Sequence, residues 1–261
     1  MNQPNGPIVR TPPASGAPVA AVGAATFSPL YLQIKGLITQ SLQAGEWKPG
    51  EMIGSEIDLA ARYKVSQGTV RKAIDELAAE HLLVRRQGKG TFVATHIETR
   101  TQFRFLRLTP DEGEPHYPES VVIECRRVRA PAEIARLLEL KPGDSAVLIK
   151  RVLAHDGEPF VLDEIWLPAA LFRGLTTERL RASRVPLYSL FESEFGTKMV
   201  RADEKIRAVP ARGGACKVLK VAPGAPLLSV NRVTFTYGDK PVEVRRGLYS
   251  TRDHFYKNEL S

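Results

Sequence analysis

Between two helix-like apolar patterns, the stretch SEIDLAARYKVSQGTVRKAIDEL (Ser55 to Leu77) sets Gln67, Gly68, Thr69, Arg71 and Lys72 just after a break at Lys64-Val65-Ser66. Amide, hydroxyl and guanidinium groups crowded at the start of a helix are the types that hydrogen-bond base edges and phosphates. A little further on, Gln87-Gly88-Lys89-Gly90 places a cation between two glycines. Far down the chain, Glu243, Arg245, Gly247 and Tyr249 share one strand face by alternation, opposite Val242, Val244 and Leu248. Glu164 interrupts the apolar series Phe160, Leu162 and Trp166, and Arg151 falls mid-strand between Leu148 and Val152. Two readings fit these polar insertions: a solvent-facing sheet face with paired surface charges, or a pocket with a few polar groups on an apolar background. Bond-breaking chemistry is less well supplied. No nucleophile, metal-ligand set or carboxylate pair accompanies His81, His96, His116, His155 or His254. Cys125 and Cys216 stand far apart without a CxxC spacing and read as small apolar core residues. No metal or cofactor is expected.

The elements needed to position the first group follow from local signals. Ser55 is a helix cap with Asp58 three residues on, as in a capping box. Leu59, Ala60 and Tyr63 form the inner stripe of that helix. Ser66 caps the next, whose stripe is Val70, Ala73, Ile74 and Leu77, while Val65 plugs the angle between the two. Upstream, Leu30, Ile34, Leu37, Ile38 and Leu42 predict a helix with Ser28 as cap and Pro29 as its first residue, stopped by Gly45 and Pro49-Gly50. Downstream, LLVRRQGKGTFVA (82–94) predicts a hairpin with glycines at its tip. A helix-turn-helix followed by a basic-tipped hairpin is a winged helix. It would put Gln67, Gly68, Thr69 and Arg71 in a major groove and Gln87, Gly88 and Lys89 on the backbone or minor groove.

Composition fits this and narrows the alternatives. The 261 residues, 43% hydrophobic and 25% charged, suit one large or two ordinary globular domains. Net charge is +8, and seven Lys or Arg stand against three acids from Arg62 to Lys89, which suggests a polyanionic partner. No apolar run reaches membrane-spanning length and no secretory leader is visible, so a cytoplasmic, nucleoid-associated protein is expected. Residues 1–27, rich in Pro, Ala and Gly, read as a disordered tail.

The segment PLYLQIKGLITQSLQAGEWKPGEMIGSEIDLAARYKVSQGTVRKAIDELAAEHLLVRRQGKGTFVA resembles the DNA-binding domain of GntR-type bacterial transcription regulators. The match runs in order through Pro29-Leu30-Tyr31, Gly45, Pro49-Gly50, Ser55-Glu56, Val65-Ser66, Thr69-Val70-Arg71 and the Gly-x-Gly-Thr-Phe-Val wing. The resemblance implies DNA contacts from Ser55, Ser66, Gln67, Gly68, Thr69, Arg71, Lys72, Gln87, Gly88 and Lys89. Three departures set this chain apart: Gly54 where the family usually has Pro, Ile57 where a polar residue is frequent, and Gln67 in place of a frequent arginine. Its operator sequence is therefore not expected to copy that of relatives.

Beyond a linker at 95–101, the second domain (102–257) repeats itself. LLELKPGDSAVLIKRVLAHDGEPFV matches VLKVAPGAPLLSVNRVTFTYGDKPVEV at an offset of 81, with Pro142 on Pro223, Gly143 on Gly224 and Arg151 on Arg232. Each copy reads helix, Pro-Gly turn, strand, hairpin, strand, which predicts two related halves of one α+β domain with antiparallel sheet. This region resembles the UTRA effector-binding domain of the HutC subfamily, which implies a chorismate-lyase-like sheet with flanking helices behind the winged helix (28–94). It also implies a small metabolite held among Arg151, Glu164, Tyr188, Glu243 and Tyr249. Leu153 and Pro186 replace a second arginine and a hydroxyl residue common in sugar-phosphate binders, which argues against a phosphosugar.

The expected protein is a transcription regulator, a repressor that binds a pseudo-palindromic double-stranded operator as a homodimer and answers to a small polar metabolite. The rivals are a lyase-like enzyme activity in the second domain and a constitutive DNA binder with no effector.

Overall fold

The computed structural model describes residues 28–96, 105–113 and 117–258. The Pro-rich tail and most of the expected linker fall outside these. Helix α1 (Leu30–Gln43) buries Ile34, Ile38 and Leu42. Its cap position is Pro29, with ψ at 140°, so the helix starts one residue later than the sequence suggested, and Ser28 contributes only its carbonyl, to Gln33. Helix α2 (Glu56–Tyr63) carries the full capping box: Ser55 Oγ accepts from the Asp58 amide, and Asp58 accepts from the Ser55 amide, both at 3.1 Å. Lys64 then takes φ +54° and the Val65 amide bonds back to Ala60, which ends the helix and turns the chain. Helix α3 (Gln67–Ala79) starts at once from Ser66, whose Oγ accepts from the Thr69 amide at 3.2 Å. Its predicted stripe, Val70, Ala73, Ile74 and Leu77, is buried against α1 and α2.

Strands β1 (Leu83–Arg86) and β2 (Gly90–Val93) form the wing, with Arg86 opposite Gly90. Gly88 at φ +69° and Gly90 at φ +110° accept a geometry that side-chain-bearing residues resist.

The larger region is built on one six-stranded antiparallel sheet. Its strands in chain order are β4 (Glu119–Arg129), β5 (Ser145–His155), β6 (Glu158–Pro168), β7 (Arg201–Pro210), β8 (Pro226–Phe235) and β9 (Pro241–Ser250). In space they run β4-β5-β6-β9-β8-β7. The internal repeat explains this order. Edge strand, short helix, Pro-Gly turn and hairpin occur twice, through α4 (Ala132–Leu137) and α7 (Gly214–Val218), and the last strands of the two copies, β6 and β9, pair at the centre. The turn glycines Gly143 and Gly224 have φ +92° and +84°. β3 (Leu108–Pro110) pairs with β10 (His254–Tyr256) beside the sheet.

One sheet face packs Val147, Ile149, Ile165 and Leu167 against α5 (Thr177–Ala182) and α6 (Leu187–Phe195), with Phe172, Leu190 and Phe191 at the contact. The other sets Leu148, Trp166 and Val244 against α4 through Ile134 and Leu138. Thus α6 lies on the face that also carries Arg151, Asp163 and Glu243.

Candidate DNA-reading face and effector cavity

The start of α3 is organised by a residue that sequence reading left without a role. Glu56 accepts from Gln67 Nε2 at 3.2 Å, Arg71 Nε at 3.0 Å and Arg85 Nη1 at 2.9 Å. Arg85 also reaches Asp75 at 2.8 Å. Burial works to raise the Glu56 pKa, but the hydrogen bonds from Arg85, Arg71 and Gln67 outweigh it and hold the carboxyl below its ordinary value. The effect is to line up two α3 side chains while leaving Arg71 with 59% of its side chain exposed. In the same first turn Gly68 is exposed and Thr69 half-buried. Ser55 and Ser66 are committed to capping, and their hydroxyls stay at the surface. Lys72 turns toward α1, its ammonium 4.0 Å from the centre of the Tyr31 ring. Gln87, Gly88 and Lys89 form the exposed wing tip. An acid in the first turn of α2, surrounded by basic sequence, was the available signal for Glu56. Arg85 was hidden among the other basic residues.

In the sheet domain the residues expected around an effector part company. Arg151, Tyr188 and Glu243 come together, while Glu164 does not join them. It pairs with Arg246 in register and accepts from Trp166 Nε1 at 2.8 Å on the opposite face. Asp163, its neighbour, takes the inward position: Asp163 Oδ2 accepts from Arg151 Nη2 and Arg245 Nη1, both at 3.1 Å. Arg245 Nε donates to Glu243 at 3.0 Å, and the Tyr188 hydroxyl donates to the same carboxylate at 2.8 Å. Arg232 adds ties to Glu204 at 2.6 Å and to the Phe105 carbonyl. Tyr249 lies on the same strand face, 1% exposed, behind the cavity wall and in the apolar cluster with Val161 and Leu153. Burial, with Asp163 nearby, pushes its pKa up to about 12.

This network is buried. Arg151, Asp163, Arg232, Glu243 and Arg245 are all at most 5% exposed. Burial opposes the charge on Arg245, and Glu243, Tyr188 and Asp163 outweigh it, so its pKa rises well above the ordinary arginine value. Asp163 Oδ1 is buried with no hydrogen-bond partner among the described residues. Ion pairs in a dry interior seldom add net stability over apolar packing, so such a cluster points to a site rather than to scaffolding. It borders a cavity of only about 30 Å³, room for a water or two. Beside that, sharing Arg151, Tyr117, Pro186 and Leu187, opens a cleft of about 400 Å³, the size of a small-molecule site.

His96 and Phe105 also border the small cavity, their rings 5.7 and 5.3 Å from that of Tyr188. Both were missed as site residues, because their contacts to α6 span some 90 positions of chain and leave no local pattern.

Residues 30–93 match the family described as bacterial regulatory proteins, gntR family, and residues 114–254 match the UTRA domain. The chain is 32% identical over 219 residues, 82% of its length and 88% of the relative's, to the probable fructoselysine utilization operon transcriptional repressor of Escherichia coli K12. It is 27% identical to the histidine utilization repressor of Pseudomonas putida, over 96% of this chain and 99% of that one. Among solved structures, the ligand-binding domain assigned to a GntR-family transcriptional regulator of Bordetella bronchiseptica is 57% identical, with a TM-score of 0.58 over 60% of this chain and 98% of that chain. The Bacillus subtilis protein YydK, 17% identical, shares the fold over 90% of this chain and its own full length, with a TM-score of 0.53. The chain therefore belongs to the GntR family of bacterial regulatory proteins, a winged-helix transcription regulator with a UTRA effector-binding domain and not an enzyme.

Proposed function

We propose that the protein works in the cytoplasm as a homodimeric repressor that leaves its operator when a small polar metabolite binds near Arg151, Tyr188 and Glu243. Gln67, Gly68, Thr69 and Arg71 would face the major groove, Ser55 and Ser66 its phosphates, and Gln87, Gly88 and Lys89 the flanking backbone, while Lys72 would reach a phosphate only by leaving the Tyr31 ring. Tyr249 would support the cavity from behind, and Arg245, Asp163 and His96 would join its wall. The names of the relatives refer to use of fructoselysine and of histidine, which supports a small polar effector. A single winged helix reads few base pairs, which favours a two-fold dimer on a two-fold operator.

The observation that carries this reading is the double attachment of α6. Tyr188 on that helix donates to Glu243 in the buried network. One turn away, Glu192 Oε2 accepts from Thr95 Oγ1 and from the His96 amide, both at 2.8 Å, and Ser189 Oγ donates to the His96 carbonyl at 3.0 Å. Thr95 and His96 directly follow the wing, and Lys198 holds the Ala94 carbonyl between them. A ligand that shifted Tyr188 would move the segment from which the DNA-binding domain hangs. Selection of bound sites from random double-stranded DNA by the full-length protein tests the DNA half. A two-fold symmetric consensus is expected, and enrichment of a lone half-site, or of none, would contradict it.

A further inference from the structure

The 400 Å³ cleft is lined unlike the small cavity it adjoins. Arg151, Arg181 and Arg184 border it with the hydroxyl residues Ser120 and Ser183, and no carboxylate lines it among the described residues. Its floor is apolar: Val122, Ile149, Leu180, Leu187 and Leu190. In the small cavity every arginine has an acid against it. In the cleft the balance differs. Arg151 gives Nε and Nη2 to Asp163 and turns Nη1 toward Ser120 Oγ, a long contact of 3.5 Å. Arg181 uses Nε and Nη2 on the Val122 carbonyl, and Glu178, one turn back, lies within its electrostatic reach without lining the cleft. Arg184 is exposed and makes no ion pair among the described residues. A low-dielectric wall lined by one sign of charge concentrates its field on the space between.

We infer that this cleft takes an organic anion, a carboxylate or phosphate monoester joined to a compact apolar body. The head group meets Arg184, Arg181, Ser120 and the Nη1 edge of Arg151, in place of the long Ser120 contact. The body lies over Ile149, Leu187 and Leu190. Guanidinium forks suit such a head through paired, charge-assisted hydrogen bonds. Because Leu187 opens α6 next to Tyr188, the body also rests on the helix that holds the linker. This inference rests on the effector-responsive reading above, and the test separates the two.

Full-length protein is melted with 3-phenylpropionate, phenyl phosphate or neutral 3-phenyl-1-propanol. The expected result is a saturable rise in Tm of about 2–4 °C at several times Kd for at least one anion, and none for the alcohol. Which anion acts identifies the head group. Arg184→Gln, at an exposed position, should weaken that anion about tenfold, near 1.4 kcal/mol, while Arg184→Lys keeps most of the affinity. Equal stabilisation by the alcohol, no shift with either anion, or unchanged binding by Arg184→Gln would overturn the inference. Operator affinity is read in the same samples. An anion that binds through Arg184 yet leaves operator affinity unchanged upholds the ligand class and overturns effector-driven release.

Discussion

The two charged regions of this molecule use the same residue types in opposite surroundings. At the start of α3, Glu56, Arg71 and Arg85 meet at the surface, where water screens them and the arginine side chains are 59% and 42% exposed. On the central strands, Arg151, Asp163, Glu243 and Arg245 meet in the buried interior. Surface pairs contribute little stability and exchange partners readily, which suits groups that must leave a carboxylate for a phosphate or a base. Buried pairs are rigid, and removing one member strands the others without solvent. On the proposed function, one region is handed over to DNA, and the other registers small changes in what occupies its cavity.

The contrast predicts a sharp division of mutational effects. Asp163→Ala should be the most damaging, costing about 3–5 kcal/mol of stability, because Arg151 and Arg245 lose their shared acceptor. Chemical unfolding measures this, and a loss below about 1 kcal/mol would mean that water already reaches the network. Arg71→Ala should show the reverse profile. Operator affinity falls tenfold or more, from a guanine contact worth about 1–3 kcal/mol, while Tm stays nearly constant. Lys89→Ala should be milder, weakening all DNA alike and making the salt dependence shallower by about one unit. Binding titrations across a salt series separate these two variants. Smallest is the pH effect of Glu56. Its folded pKa lies below the ordinary 4.5, so its contribution is complete above that value and is lost as pH falls through the lower folded pKa. Glu56→Gln should flatten acid unfolding in that window alone, and an unchanged acid limb would show that the hub adds no stability.

The winged helix was legible in the sequence because each of its signals is local. Ser55 with Asp58, Ser66 with Thr69, the 3.6-residue stripes and the wing glycines all act within a few residues. The sheet domain was legible as far as its repeat, through Pro142-Gly143 and Pro223-Gly224. Its site was legible only in part: Arg151, Tyr188 and Glu243 come together, but strand parity decides which side chain faces inward and a single residue reverses it. Glu164 looked like the inward carboxylate, and the pairing of Arg151 with Asp163 turns it outward. His96, Phe105 and Asp163 reach the network only through register and long-range packing, which no spacing rule encodes, whereas the repeat had already aligned Arg232 with Arg151.

The coupling through α6 is the central claim, and hydrogen exchange on the full-length protein tests it without knowledge of the effector. Coupling between sites is reciprocal, so operator binding must alter the region that the effector would alter. With operator DNA, the segments Ala94 to His96 and Leu187 to Phe195 should change their exchange rates together with α3. A change confined to α3 and the wing, with α6 exchanging as in the free protein, would contradict the account.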